Sequence, residues 1–351
     1  MPLKPIDAAE AAADLSRFDA IIDARSPAEF AEDHLPGAIN WPVLDDEQRR
    51  IVGTAFVQDS PLAARKLGSA MAARNIARHI EQTVSGLPRE WQPLVYCWRG
   101  GQRSGSLAWF LDQIGFRTAK LTGGYKGFRA VVRKDLDVLP ERYDFRVVAG
   151  RTGSGKTRLL QALAAEGAQV LDLEALACHR GSILGGMPGQ PQPTQKRFDT
   201  LLWQAFAGLD AARPVFVESE SKKIGALQVP AALIARMHAQ GRVLRVEMSD
   251  AARVELLLQE YGFFAAEPER FCALLDGLVA LRGHETVARW QALARGGEWA
   301  AVFDQMMREH YDPLYLRSMD VHYAGYESAQ QVVLKDGEPQ TLRAAARLLL
   351  D

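Results

Sequence analysis

Cys97 sits where a thiol can be made reactive. It follows the apolar run Leu94-Val95-Tyr96 and opens the stretch Cys97-Trp98-Arg99-Gly100-Gly101-Gln102-Arg103-Ser104. A glycine-containing loop that turns from a buried strand into a helix lets successive N–H groups converge on the sulfur, and the helix adds its positive end. Both stabilise a thiolate, as do Arg99 and Arg103 where they point inward. A thiolate is a nucleophile and a chalcogen carrier, and the same loop would hold a persulfide, a selenide adduct or a tetrahedral oxyanion. Without such a loop, a lone cysteine at a strand end is a small buried hydrophobe.

A second constellation, Gly150-Arg151-Thr152-Gly153-Ser154-Gly155-Lys156-Thr157, fits G-x-x-x-x-G-K-[ST] throughout. It follows the strand-like Arg146-Val147-Val148-Ala149 and precedes a helical pattern over Thr157 to Ala165, the context this motif requires. Gly150, Gly153 and Gly155 let the backbone, with Ser154, curl so that N–H groups face a phosphate. Lys156 supplies a point charge to the terminal phosphate, and Thr157 is placed to ligate Mg²⁺. The motif specifies a diphosphate or triphosphate without saying which.

An acidic strand end should lie beside such a loop. Glu218, in Val215-Phe216-Val217-Glu218-Ser219-Glu220-Ser221, is one candidate, and Asp172, ending Val170-Leu171-Asp172, is its rival. Either would serve as a magnesium ligand or an acid/base group, and either would otherwise be a surface carboxylate. Arg180, in His179-Arg180-Gly181-Ser182, is a candidate for an anionic ligand. Cys178 and His179 have no third ligand at matching spacing, so no structural metal site is expected. Lys222 and Lys223 would meet phosphate or RNA, or remain a solvated pair. The aromatic groups Trp203/Phe206 and Tyr261/Phe263/Phe264 are expected in the core.

The elements around these residues alternate. Ala20 to Asp23, Leu94 to Cys97 and Thr118 to Leu121 read as short strands, and Ser104 to Ile114 has helical spacing. Pro27 to Glu32 reads as a helix with Ser26 as N-cap, Pro27 at the first position and Glu29 at the third. Such alternation implies a parallel α/β sheet. The charged stretch 134–144 contains Pro140 and marks a boundary, dividing the chain into 1–136 and 137–351. The second part restarts with strands at Phe145 to Ala149, Val170 to Asp172, Val215 to Glu218 and Val243 to Met248. It becomes mostly helical from Ala251 onward. Residues 181–193, rich in Gly and Pro, read as a loop near the second site.

Composition narrows the function classes. The chain has 351 residues, 42 Lys plus Arg against 43 Asp plus Glu, and 48% hydrophobic residues. That is a folded protein, and a globally basic nucleic-acid binder is excluded while a local basic patch is not. Cys97, Cys178 and Cys272 are widely separated, which fits free thiols in a reducing, cytoplasmic setting rather than a disulfide framework. No run is long and apolar enough for a membrane span, and no signal-peptide pattern is expected at the N-terminus.

Asp23-Ala24-Arg25-Ser26-Pro27-Ala28-Glu29-Phe30, followed by His34-Leu35-Pro36-Gly37-Ala38-Ile39-Asn40, resembles the N-terminal signature of rhodanese domains. The spacing from Cys97 to Arg103-Ser104 resembles that family's cysteine loop, and Gly115-Phe116 to Leu121-Thr122-Gly123-Gly124-Tyr125 its closing strand and turn. The resemblance implies structural roles for Asp23, Arg25 and His34. A rhodanese-like domain followed by a P-loop NTPase-like α/β domain with a helical C-terminal part is similar to the tRNA 2-selenouridine synthases. Asp172-Leu173-Glu174, Gln192-Pro193-Thr194-Gln195 and Phe216 to Ser221 follow in the order that family leads one to expect.

That resemblance implies a transferase acting on the wobble 2-thiouridine of tRNAs for Lys, Glu and Gln. Sulfur would be replaced by selenium from selenophosphate, through an S-geranyl nucleoside made from geranyl diphosphate. No tightly bound cofactor is implied, Mg²⁺ is expected to assist, and a selenophosphate-supplying enzyme is an implied partner. Catalytic roles fall on Cys97, Arg99, Arg103 and Ser104, and phosphate binding on Gly150 to Thr157 and Arg180. The anticodon arm would meet a local patch, with candidates in the Arg-bearing helices after 230 and at Lys222/Lys223. Two other readings stay open. One is an ATP-dependent sulfurtransferase with a rhodanese persulfide carrier. The other is a non-enzymatic, nucleotide-gated rhodanese adaptor.

Overall fold

A computed structural model describes residues 4–323 and 325–350. The chain forms two compact units, Met1–Leu136 with Pro193–Gln204, and Asp137–Gln192 with Ala205–Asp351. Most of the Gln195–Ala207 helix thus belongs to the first unit, a return of the chain that a single division at residue 136 does not provide for.

In the first unit β1 (Lys4–Ile6), β2 (Ala20–Asp23), β3 (Ala38–Asn40), β4 (Pro93–Tyr96) and β5 (Ala119–Leu121) form one parallel sheet in the order β1-β5-β4-β2-β3. Every residue of β4 is buried, as befits a central parallel strand covered on both faces. Ile22, Val95, Leu107, Leu111, Trp41, Trp91 and Phe116 share its core with Cys97. The Pro27–Glu32 helix starts as its sequence specifies, with the Ser26 N–H donating to the Glu29 carboxylate at 3.1 Å. The strands β1 and β3, three residues each, carry no apolar run that a sequence reading could separate from loop.

The segment 193–204 is held to the first unit by buried polar groups. The Thr200 hydroxyl donates to Asp33 at 2.9 Å and the Tyr125 hydroxyl donates to the same oxygen at 2.8 Å. Arg129 reaches Asp199 at 2.6 Å, and the Trp203 indole donates to Asp135 at 2.8 Å. Burial pushes the Asp33 carboxyl up, against the pull of these donors. Asp23 and Arg25 form a fully buried pair at 2.6 Å, with Arg25 also donating to the Asp33 carbonyl.

In the second unit β6 (Phe145–Ala149), β7 (Gln169–Leu171), β8 (Val215–Glu218), β11 (Arg242–Glu247) and β12 (Gln330–Val333) form a parallel sheet in the order β12-β11-β6-β8-β7. A small antiparallel hairpin pairs β9 (Lys223–Ile224) with β10 (Leu227–Gln228). The C-terminal part is helical around Tyr261, Phe264, Phe271, Trp290 and Phe303, so these aromatics are core. The strand β12 departs from the expected helical run. Of its four residues only Val332 is buried, the pattern of an edge strand whose apolar signal is the short run Val332-Val333-Leu334.

Candidate active sites

The Cys97 thiol is buried at the end of β4, and the Ser104 hydroxyl donates to its sulfur at 3.1 Å. Ser104 lies in the first turn of the Gln102–Ile114 helix, so the start of that helix brings a side-chain donor to the sulfur. A second turn backs the loop. The Tyr125 N–H donates to the Cys97 carbonyl at 2.8 Å and the Lys126 N–H to the Trp98 carbonyl at 3.0 Å. A Cβ at Gly124 would collide with the Cys97 carbonyl oxygen, and its φ is +56°, so only glycine allows this approach.

The two arginines are placed differently from the sulfur's donors. Arg103 is committed to Glu29 at 2.5 and 3.3 Å, and Arg99 is exposed. Burial alone would raise the Glu29 carboxyl, but Arg103 outweighs it and the group sits below its ordinary value. Asp23 and Arg25 lie in the buried lattice described above, and His34 stacks on Phe30 with ring centres 4.0 Å apart. Beside the loop a cavity of about 480 Å³ is lined by Val52, Phe56, Ile76 and Phe110, with Arg49, Arg65 and Arg103 among its walls. No motif announces it.

The phosphate loop joins β6 to the Lys156–Ala165 helix. Gly150 lies so close to β11 that a Cβ there would come within 2.6 Å of the Val246 carbonyl oxygen and 2.5 Å of the Ser154 hydroxyl. Gly153 and Gly155 carry the curve of the loop with φ of +77° and +85°. The Ser154 hydroxyl is buried with no hydrogen-bond partner among the described residues. The Lys156 ammonium lies 3.4 Å from Glu218, and the Thr157 hydroxyl lies 3.1 Å from Glu218 and 3.2 Å from Glu174.

Of the two carboxylates expected beside the loop, Glu218 is at Thr157. Asp172 instead accepts the Ala175 N–H at 2.8 Å and caps the Leu173–Ala177 helix. Glu174, two residues on, takes the place beside Thr157, and Glu220 joins it. Carboxylate oxygens of Glu174, Glu218 and Glu220 all lie within 4.8 Å of one another. Burial, then the neighbouring carboxylates, pushes Glu174 up to about 10 and Glu220 up to about 8. Glu218 is also raised by burial, against Lys156 and Thr157. Such a group holds protons at neutral pH unless a cation replaces them. An all-oxygen donor set with a threonine hydroxyl suits a hard divalent cation such as Mg²⁺.

Arg180 donates to the Glu260 carbonyl at 3.0 Å and lies over the Tyr261 ring at 5.1 Å. Cys178 ends the Leu173–Ala177 helix with φ of +48°, and His179 Nδ1 accepts the Gly181 N–H at 3.1 Å. Neither is in a metal cluster among the described residues.

The C-terminal helices, which carry no motif, complete the site. The Gly150 N–H donates to the Tyr315 hydroxyl at 2.5 Å, and that hydroxyl lies 3.2 Å from Ser219. Buried Arg253 donates to the Thr152 carbonyl at 2.9 Å and pairs with Asp312, which also meets Arg151 at 3.1 Å. Together with the loop these elements enclose a cavity of about 790 Å³ that Lys156, Thr157, Arg180 and all three glutamates line.

The tRNA 2-selenouridine synthase AAA domain family matches residues 143–277, and the rhodanese-like domain family matches residues 7–131. The tRNA 2-selenouridine synthase of Cupriavidus pinatubonensis is 34% identical over 84% of this chain and 87% of its own length. That of Bdellovibrio bacteriovorus is 30% identical over 86% of this chain and 89% of its own. That of Nitrosomonas europaea is 36% identical over 69% of this chain and 63% of its own.

Proposed function

We propose, from the premise that this chain belongs to the tRNA 2-selenouridine synthase family, that it converts wobble 2-thiouridine to 2-selenouridine. Geranyl diphosphate and selenophosphate are the co-substrates of this reading, and the tRNAs for Lys, Glu and Gln the acceptors. A selenophosphate-supplying enzyme is the partner and the cytoplasm the setting. Among the described residues no helix is long and apolar enough to cross a membrane. The observation that carries the reading is the joining, in one chain, of a serine-bonded thiol at a glycine loop with a phosphate loop that faces three glutamates.

Thiocarbonyl sulfur is a poor leaving group, and alkylation improves it. In the second unit the uridine sulfur would attack the first carbon of geranyl diphosphate, and the carbon–oxygen bond would break with its electron pair leaving on diphosphate. Lys156 and the loop N–H groups would take up that charge, and the unpartnered Ser154 hydroxyl would add a donor. Glu218, Glu174 and Thr157 would hold Mg²⁺, which neutralises diphosphate charge when bound. The Cys97 loop in the first unit would receive the selenium-bearing anion, with Ser104 donating to the reacting chalcogen. The selenium of selenophosphate would then add at C2 and expel geranylthiolate, and water would attack phosphorus to break the phosphorus–selenium bond, releasing phosphate and leaving the 2-seleno group.

The test is nucleoside mass spectrometry on 2-thiouridine-containing tRNA, incubated with geranyl diphosphate and Mg²⁺ and then with selenophosphate. A geranyl mass gain followed by a sulfur-to-selenium shift is the expected result. An unchanged nucleoside together with tRNA-stimulated ATP hydrolysis would transfer the assignment to a nucleotide-dependent sulfurtransferase.

A further inference from the structure

Away from the phosphate loop, the wall of the 790 Å³ cavity changes character. His238, in the last turn of the Ala231–Gln240 helix, stacks on His322, the last residue of the Asp312–His322 helix. Their ring centres are 4.6 Å apart and the planes 11° from parallel. Tyr323 stands edge-on to His238 at 5.0 Å and 80°. His322 is exposed, and so are Lys222 and Lys223, which follow the glutamate cluster in sequence. Tyr323 is 3% exposed, and its hydroxyl is buried with no hydrogen-bond partner among the described residues.

These observations do not suit a metal or a plain packing role. Two imidazoles stacked face to face do not aim their nitrogens at a common point, and the cation cluster of this cavity is elsewhere. A phenol left unpaired in a buried position is costly unless something reaches it. Burial holds His238 below the ordinary imidazole range, with His322 and Lys222 adding to the effect, so its ring is neutral and suited to stacking. Flat aromatic faces beside exposed cations are what single-stranded nucleic acid takes, bases on the rings and phosphates on the cations.

We infer that this rim is the seat of a pyrimidine nucleotide of single-stranded RNA. Its base stacks on the open face of His322, the Tyr323 hydroxyl bonds the base edge, and Lys222 and Lys223 meet the flanking phosphates. The inference rests on the tRNA-modifying reading above and names the residues that receive the acceptor nucleotide in that same cavity. An exposed pair of lysines favours a polynucleotide over a mononucleotide, whose phosphates the loop itself would claim.

The experiment is fluorescence anisotropy of the full chain with an end-labelled anticodon stem-loop carrying 2-thiouridine at the wobble position. Inorganic pyrophosphate and ATP are titrated separately by calorimetry. His322→Ala should weaken the stem-loop about tenfold, and His322→Phe should stay within about twofold of the parent. Tyr323→Phe should weaken it by about three- to tenfold. Pyrophosphate binding should be unaltered in all three. Parent-like stem-loop binding by His322→Ala and Tyr323→Phe would overturn the inference and leave the tRNA reading standing. A loss confined to ATP would overturn it in favour of a mononucleotide. A parent protein that binds no stem-loop would overturn both.

Discussion

The Tyr315 hydroxyl lies 2.5 Å from the Gly150 amide nitrogen, and the Tyr315 ring centre lies 5.7 Å from the Lys156 ammonium. One residue from the unmotifed C-terminal helices therefore holds both ends of the phosphate loop. The Tyr315→Phe protein keeps the ring but leaves the Gly150 N–H without its acceptor. It should lose about 1 kcal/mol of stability. Its KM for geranyl diphosphate should rise more than its kcat falls, since the ring still faces Lys156. Thermal unfolding and steady-state kinetics check this, and a pure kcat defect would count against a positioning role.

Replacing Lys156 by Ala should lower geranylation about a hundredfold or more, the scale seen when one charge-stabilising donor is removed from a developing anion. It also leaves buried Glu218 without its cation, so Lys156→Arg is the control for folding. Unaltered geranylation by Lys156→Ala would remove the phosphate loop from the reaction.

The glutamate cluster fixes a pH dependence. Glu174 and Glu220 titrate above the ordinary carboxylate value of 4.5, near 10 and 8. Between those limits the folded protein holds protons that the unfolded chain has released. The stabilising contribution is complete below 4.5 and is lost as pH rises through about 8 and then about 10. Melting temperature in EDTA should therefore fall from pH 6 to pH 9. Mg²⁺ displaces those protons, so it should flatten the slope and bind more tightly at higher pH. Glu174→Gln should weaken both effects. Equal slopes with EDTA and with Mg²⁺ would argue that no cation binds here.

Cys97→Ala should abolish the selenium step and leave geranylation intact, read in the same mass-spectrometric assay. Ser104→Ala removes the hydroxyl 3.1 Å from the sulfur and should slow alkylation of Cys97 by iodoacetamide about three- to tenfold. Peptide-resolved mass spectrometry separates Cys97 from Cys178 and Cys272. An alkylation rate that does not change would mean that Ser104 only packs.

Both loops were legible because their chemistry is local. Cys97 and Ser104 are seven residues apart, and Gly150 to Thr157 is one continuous run, so spacing alone brings them together. What spacing cannot show is a partner supplied by packing. Arg103 reads as a donor to the thiolate until Glu29, 74 residues earlier, is seen to claim it. Glu174 and Glu220 each stand two residues from a carboxylate singled out in the sequence, yet only the geometry separates the cluster from the helix cap at Asp172. Tyr315 and Arg253 reach the loop from helices whose sequence reads as ordinary amphipathic surface and core.

The polypeptide passes between its two units at 136/137, at 192/193 and again at 204/205. The units are therefore interleaved along the chain, and no single cut yields both of them whole. A fragment ending at residue 136 would expose the Asp33 carboxylate that Thr200 now satisfies, and would lack the anchors of Arg129 and Asp135. A fragment beginning at 137 would carry that same helix with nothing to dock on. Assigning the two proposed steps to the two units thus requires point substitutions, or a fragment 1–136 supplied with the 193–204 peptide in trans. The same lacing means that the first unit is complete only once residues 193–204 have been synthesised, so a truncation before residue 204 is expected to damage it along with the second unit.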